Sequence, residues 1–250
     1  MAIPKIIHSC WFGAGAKSAI AQRCMATWKE FCPDYEFKFW NEHNTAAYQN
    51  SFYKDAIRNK QYAFASDCIR VQALAEFGGI YLDADMLLVQ PLDSLLTYNF
   101  FTGLEVEARP AYGIFGGIPG HRFFKIMAQF YASQRYNRYS PPVITHTFKE
   151  QINTTTLQEG ERIFTPEWFY PFPYEQRNQD YKPFVGKSTI AVHLWDHSWK
   201  QSQEHTTGWL LKQLGNVAVD RFVHKYPKAY GKRYFKEFGR KLYHKITGKQ

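Results

Sequence analysis

The stretch at residues 78–88, GGIYLDADMLL, limits the folds open to this chain more than any other. Paired glycines end whatever precedes them, because glycine adopts positive φ without steric cost. Before them, residues 65–77 (ASDCIRVQALAEF) place Ile69, Ala73 and Phe77 on one helical face, with Ser66 or Asp67 as the expected N-cap and Gly78 as the left-handed C-cap. After them, residues 80–82 read as a buried strand that delivers Asp83 and Asp85 at its carboxyl end. Upstream, residues 4–8 (PKIIH) read as a first strand, Ala19–Phe31 as a helix and Glu36–Trp40 (EFKFW) as a second strand by its alternation. Strand, helix, strand implies an α/β sheet, and such sheets bind ligands at the carboxyl ends of their strands. Segments rich in Pro, Tyr and Asn at 131–142 and 165–183 read as irregular loops that shape a cleft.

The 250 residues, 45% of them hydrophobic, suffice for one substantial core. The N-terminal MAIPKIIHSCWFG has no basic region followed by an apolar one, and no window approaches the roughly 18 apolar residues of a membrane span. A cytoplasmic location is expected. Cys10, Cys24, Cys32 and Cys68 show neither a CxxC pair nor zinc spacing, so reduced, buried thiols are expected.

The net charge of +9 is unevenly placed. Residues 221–250 hold ten Lys or Arg against one acid, Glu237, whereas residues 1–220 are balanced. Within that tail Phe222, Tyr226, Tyr230, Tyr234, Phe238, Leu242 and Ile246 recur every fourth residue, laying an aromatic stripe along a helix interrupted near Pro227 and Gly231. Two readings stay open: a basic amphipathic helix on an anionic membrane surface, or a stripe packed on the domain with solvated lysines. No zinc-finger, helix-turn-helix or RNP-like pattern accompanies the charge, so no nucleic acid partner is expected.

At roughly 3.3 Å per residue, Asp83 and Asp85 on a strand would project to one side about 7 Å apart. Two carboxylates without interleaved His or Cys favour Mg²⁺ or Mn²⁺, ions that keep positions open for phosphate oxygens. A lone D-x-D is also what a capped turn before Pro91 looks like.

The surrounding block weighs against the capped turn. AFASDCIRVQALAEFGGIYLDADM resembles the A-x-S-D-x-x-R-x-x-x-L-x-x-x-G-G-x-Y-x-D-x-D block of the DXD-containing sugar transferases, glycosyltransferase family 32. IPKIIHSCWFG is similar to that family's opening strand, SPPVIT at 140–145 to its G-P-x-x-x-T segment with Ser140 in place of Gly, and HLWDHSW at 193–199 to its closing H-x-x-x-x-S-W. The resemblance spans about residues 3–200 and implies a GT-A type, Rossmann-like α/β domain with a mixed sheet, taken as residues 1–220; it stops before the basic helical extension at 221–250, which the charge pattern alone marks. It implies a metal-dependent transfer of a hexose from a nucleoside diphosphate sugar, UDP-linked being favoured over GDP-linked, to a hydroxyl of a glycan or lipid-linked acceptor, with retention. By the same resemblance Asp85 ligates Mn²⁺ or Mg²⁺, and Asp83 contacts the donor ribose or the metal through water. Asp67 and Arg70 then serve the donor sugar and its phosphates, Trp11 stacks on the base, His193 or His197 adds a metal ligand or phosphate contact, and Trp199 offers an indole N–H to the diphosphate. Asp196 and Glu105 are acids outside the donor motif that would lie near an acceptor. The implied enzyme is cytoplasmic and peripheral at the inner membrane face.

Two other classes compete. A phosphohydrolase of the haloacid dehalogenase type expects Thr or Val soon after the second Asp and a downstream acidic pair, but Met86, Leu87 and Leu88 follow and no Asp-Asp occurs. A non-catalytic membrane- or nucleic-acid-binding protein organised by the tail leaves the 65–85 block unexplained.

Overall fold

The computed structural model describes residues 2–134, 136–196 and 206–247. Along the chain run β1 (Ile6–Cys10), α1 (Ala19–Phe31), β2 (Glu36–Trp40), α2 (Ser51–Arg58), α3 (Tyr62–Phe77), β3 (Gly79–Leu82) and β4 (Met86–Leu88). There follow β5 (Phe100–Val106), β6 (Arg109–Gly117), α4 (Arg122–Ser133), α5 (Ile144–Thr147), β7 (Glu161–Phe164), α6 (Pro166–Phe169), β8 (Ala191–His193), α7 (Thr207–Phe222) and α8 (Lys228–Thr247). Six strands form one mixed sheet in the order β2-β1-β3-β6-β5-β7, with β1 parallel to both β2 and β3, and β6 antiparallel to β3 and β5. A separate antiparallel pair joins β4 to β8. This is the α/β mixed sheet that the sequence implies.

Alternation along β3 divides the core. Ile80 and Leu82 face the cluster built with Trp28, Met86 and Phe169, while Tyr81 faces the cluster of Phe52, Leu74, Phe115 and Phe124. The strand is therefore buried on both faces, as the apolar run before Asp83 requires. Trp28 of α1 fixes the second sheet by donating its indole N–H to the Met86 carbonyl at 2.6 Å.

Helix α1 and strand β2 have their expected limits, and two local expectations are corrected. Strand β1 lies two residues further on, at Ile6–Cys10, where it pairs with β2 over its whole length. Helix α3 starts at Tyr62 with Gln61 before it, so Ser66 and Asp67 are buried interior positions and not caps. The apolar helix formers Ala63, Phe64 and Ala65 extend it backwards. Gly78 takes φ 64° as a C-cap should, with its N–H on the Leu74 carbonyl.

In the tail, Gly231 does not interrupt the helix. The break falls between Phe222 and Lys228, and α8 runs through Gly231. Tyr226, Tyr230 and Tyr234 turn inward on Phe130 and Val217. The Tyr230 hydroxyl donates to Ser140 O and Asp220, and that of Tyr234 to Pro141 O. These three tyrosines belong to the domain core; Phe222 stays exposed. All four cysteines are free and buried. Among the described residues no helix is long and apolar enough to cross a membrane.

Candidate active site

Asp83 and Asp85 do not sit on a strand. Strand β3 ends at Leu82, and the chain turns through 83–86 with Met86 N–H on the Asp83 carbonyl at 2.9 Å. The turn draws the two carboxylates together, so the strand spacing of about 7 Å does not apply. Past the turn, β4 pairs with β8 in the register Met86↔His193, which sets His193 beside Asp85 although 108 residues separate them. One ligand atom each from Asp83, Asp85 and His193 lies within 4.8 Å of the others.

Each carboxylate has its own partners. Asp83 Oδ1 accepts from the Tyr81 hydroxyl at 3.1 Å and faces Arg70 Nη2 at 3.2 Å, and the same nitrogen meets Asp67 at 3.2 Å. Asp83 follows Tyr81 by two residues, just past the end of β3, which leaves its carboxylate within reach of the Tyr81 hydroxyl. The Arg70 guanidinium also lies over the Tyr81 ring and donates to the Tyr112 carbonyl at 3.0 Å, leaving its buried Nε without a partner among the described residues. On Asp85, Oδ1 meets His193 Nε2 at 3.1 Å, while Oδ2 accepts the Asp196 N–H at 2.9 Å. The Asp196 carboxylate accepts in turn from Ser18, the N-cap of α1.

The electrostatics separate the acids. Burial pushes the Asp67 carboxyl up to about 7 despite neighbouring Arg70. Burial likewise raises Asp83 against the pull of Arg70, and the nearby Asp85 adds to the rise. For Asp85 burial is outweighed by His193 and the two hydrogen bonds, which hold it below the usual carboxylate range. Burial opposes a charge on His193, yet Asp85 lifts it above the ordinary imidazole value.

A bulge in β6 completes the wall. Thr102 pairs with Phe115 but Gly103 with Ala111, so residues 112–114 leave the ladder to β5. The Tyr170 hydroxyl accepts the freed N–H groups of Gly113 and Ile114 at 3.0 and 3.1 Å, while Gly113 O accepts the Asp83 N–H and Tyr112 O the Arg70 contact. A Cβ on Gly113 would lie 3.2 Å from Asp83 Oδ2, so the glycine gives the carboxylate room. The resulting cleft, about 190 Å³, is lined by Trp11, Ser66, Arg70, Asp83, Asp85 and His193, among others.

Of the residues singled out in the sequence, Trp11, Arg70, Asp83, Asp85, His193 and Asp196 thus meet at one cleft, with Asp67 behind Arg70. Glu105 is paired with Arg109 at 3.1 Å. His197 and Trp199 lie outside the described residues. Sequence reasoning missed Tyr81, whose place two residues before Asp83 is a readable signal, and Tyr170 and Ser18, for which no local signal exists.

Fold and site together give the GT-A type architecture: a mixed α/β sheet that delivers D-x-D at the carboxyl end of β3. Residues 19–102 match the "glycosyltransferase sugar-binding region containing DXD motif" and residues 120–217 the "alpha 1,4-glycosyltransferase conserved region". The chain is 23% identical over 210 residues to human alpha-1,4-N-acetylglucosaminyltransferase, covering 78% of this chain and 56% of that protein. It is 26% identical over 230 residues to inositol phosphoceramide mannosyltransferase 2 of Schizosaccharomyces pombe, covering 88% and 65%. A solved glycosyltransferase involved in glycosylation of the major capsid of PBCV-1 aligns with a TM-score of 0.48 at 14% identity, over 77% of this chain and 94% of that one. The chain thus spans 56–65% of the length of these two curated relatives.

Proposed function

We propose that this protein transfers a hexose from a nucleoside diphosphate sugar, UDP-linked by preference, to a hydroxyl of a glycan or lipid-linked acceptor, with retention. The observation that carries the reading is the convergence of Asp83, Asp85 and His193 within 4.8 Å in a cleft that Arg70 and Trp11 also line. Two carboxylates and an imidazole fit a divalent cation such as Mn²⁺ or Mg²⁺, with Asp85, already ionised, as the firmest ligand. When bound, that cation would supply charge stabilisation to the departing diphosphate.

The remaining work belongs to the chain's own groups. Arg70, held in place by Asp67, Asp83 and the Tyr112 carbonyl, lines the cleft and brings its positive charge to the diphosphate. Trp11, its indole N–H tied to the Gly15 carbonyl at 2.9 Å, presents a ring to the nucleotide base. Asp67 lies close enough to Arg70 to serve the sugar hydroxyls. Asp196 is tied to Ser18 and Asp85 and sets the rim where an acceptor enters. Residues 1–220 form the catalytic unit in this reading, and 221–250 the basic extension.

The printed names of the relatives carry two different sugars, N-acetylglucosamine and mannose, so the donor sugar must be measured. Release of nucleoside diphosphate from a panel of UDP and GDP sugars, with Mn²⁺, Mg²⁺ or EDTA, tests the reading against Asp85→Asn. Cation-dependent turnover of one donor, lost by about a hundredfold or more in Asp85→Asn, is expected. No turnover together with no calorimetric binding of UDP or GDP in Mn²⁺ would move the protein to the non-catalytic binding class.

A further inference from the structure

A second and larger concavity, about 1190 Å³, lies between α8, the segment after α5 and the β5–β6 hairpin. Helix α8 contributes Lys228, Lys232, Lys236 and Arg240 to it at strict four-residue spacing, with Arg233 between. That stripe is about 18 Å long at 1.5 Å per residue. Lys149 faces it from the α5 side and Arg109 from β6. Seven cations thus meet two carboxylates, Glu150 and Glu237; Glu237 is already paired with Lys241 at 2.5 Å and Arg109 with Glu105 at 3.1 Å, which leaves six cations to Glu150.

Like charges at i, i+4 destabilise a helix, and turning them into one concavity adds to the cost. Buried donors remain there as well: Arg233 Nη1 and Arg109 Nε have no partner among the described residues. His146, at the floor, is pushed down to about 4 by burial and by Arg233, Arg109 and Lys149, so it adds no charge of its own at neutral pH. An anion of extended shape satisfies all of this.

Two observations favour a lipid headgroup over a free anion. Phe235 and Leu242 are exposed and, seven residues apart, mark a neighbouring face of α8; Phe222 and Val223 are exposed at the corner before it. Basic residues flanked by exposed apolar side chains are the pattern of a helix seated at a headgroup layer. Strand β6 then links the two sites. Arg109 and Pro110 line the basic concavity, and three residues on, Tyr112 and Gly113 touch Arg70 and Asp83, about 10 Å away at 3.3 Å per residue.

We infer that this concavity is a binding site for the phosphate headgroup of a lipid, seated on Lys232, Arg233 and Lys236. It would hold the sugar-transfer cleft against the surface that carries the acceptor, a role that rests on the transferase reading. The site itself is tested without donor, by calorimetry on the full chain with dihexanoyl phosphatidic acid, dihexanoyl phosphatidylcholine and inorganic phosphate as probes. Phosphatidic acid is expected to bind with an affinity that falls as salt rises. Lys232→Gln/Arg233→Gln/Lys236→Gln, which keeps good helix formers in α8, is expected to bind it about tenfold more weakly or worse at a melting temperature equal to or above that of the native chain. Lys232→Arg/Lys236→Arg and Asp85→Asn are expected to bind as the native chain does.

Equal binding by the native chain and the triple variant, or none by either, overturns the site. Inorganic phosphate binding as tightly as phosphatidic acid overturns the lipid assignment, and so does equal binding of phosphatidylcholine. Failure of the transferase reading shows elsewhere, as absent donor turnover by the native chain.

Discussion

His8 stands on β1, between β2 and β3, in a protonation state that its neighbours dictate. The Trp40 indole N–H points at Nδ1 from 3.1 Å, so Nδ1 must accept, and Nε2 carries the hydrogen that it donates to the Gly78 carbonyl at 2.9 Å. A second proton has nowhere to go in a fully buried ring, and burial accordingly lowers the group from 6.5 to about 4. The unfolded chain therefore binds a proton between those values that the folded chain refuses, so stability falls as pH falls through that window. With these two values, folding loses about 2 kcal/mol at His8 between about pH 7.5 and about pH 5, rising to about 3 kcal/mol near pH 4. His8→Gln removes the titration while keeping an amide N–H for Gly78 and an oxygen for Trp40. Denaturant unfolding of both proteins at the two pH values, followed by tryptophan fluorescence, isolates the effect from every other titrating group. The native chain should lose about 2 kcal/mol more than His8→Gln. Equal losses in the two proteins would refute the assignment of a neutral, proton-refusing His8.

Arg70→Gln leaves Asp67 and Asp83 buried without their cation, and should cost about 3–5 kcal/mol in denaturant unfolding; a cost below 1 kcal/mol would mean that the carboxylates do not depend on it. Gly78→Ala places a Cβ 2.6 Å from Pro119 Cδ at positive φ, so its melting temperature should fall by an amount equivalent to roughly 1–3 kcal/mol, whereas Gly15→Ala, which meets nothing within 4 Å, should be silent. If Asp83, Asp85 and His193 hold a divalent cation, Mn²⁺ at about a hundred times its Kd should stabilise the native chain by about 2.7 kcal/mol in thermal unfolding. Asp85→Asn should show most of that gain lost, and equal gains in both proteins would place the cation elsewhere.

Much of the site was legible in the sequence because its parts are local. Asp67 and Arg70 sit one helical turn apart, Asp83 follows Tyr81 by two residues at the end of β3, and Gly78 and Gly79 mark the turn that joins the two elements. Periodicity reports such relations directly. The start of α3 was misplaced because Ser66 and Asp67 have N-cap chemistry, and only burial shows that they point into the protein instead. The aromatic stripe of the tail was visible, but whether it faced lipid or protein was not, since the same spacing serves both; Phe130 and Val217 decide it for Tyr226, Tyr230 and Tyr234.

The sequence by itself determined the order of strands and helices around the D-x-D block, the family resemblance and the concentration of charge in the last thirty residues. Tertiary structure decided what those charges and acids face. The pairing of β4 with β8 carries His193 to Asp85, the β6 bulge opens room beside Asp83, and the packing of α8 on the α5 side turns a stripe of lysines into a concavity. Each joins residues tens to more than a hundred positions apart. Nothing in the local spacing of a chain encodes such contacts; they arise only when burial of two apolar faces fixes how separate elements lie against one another.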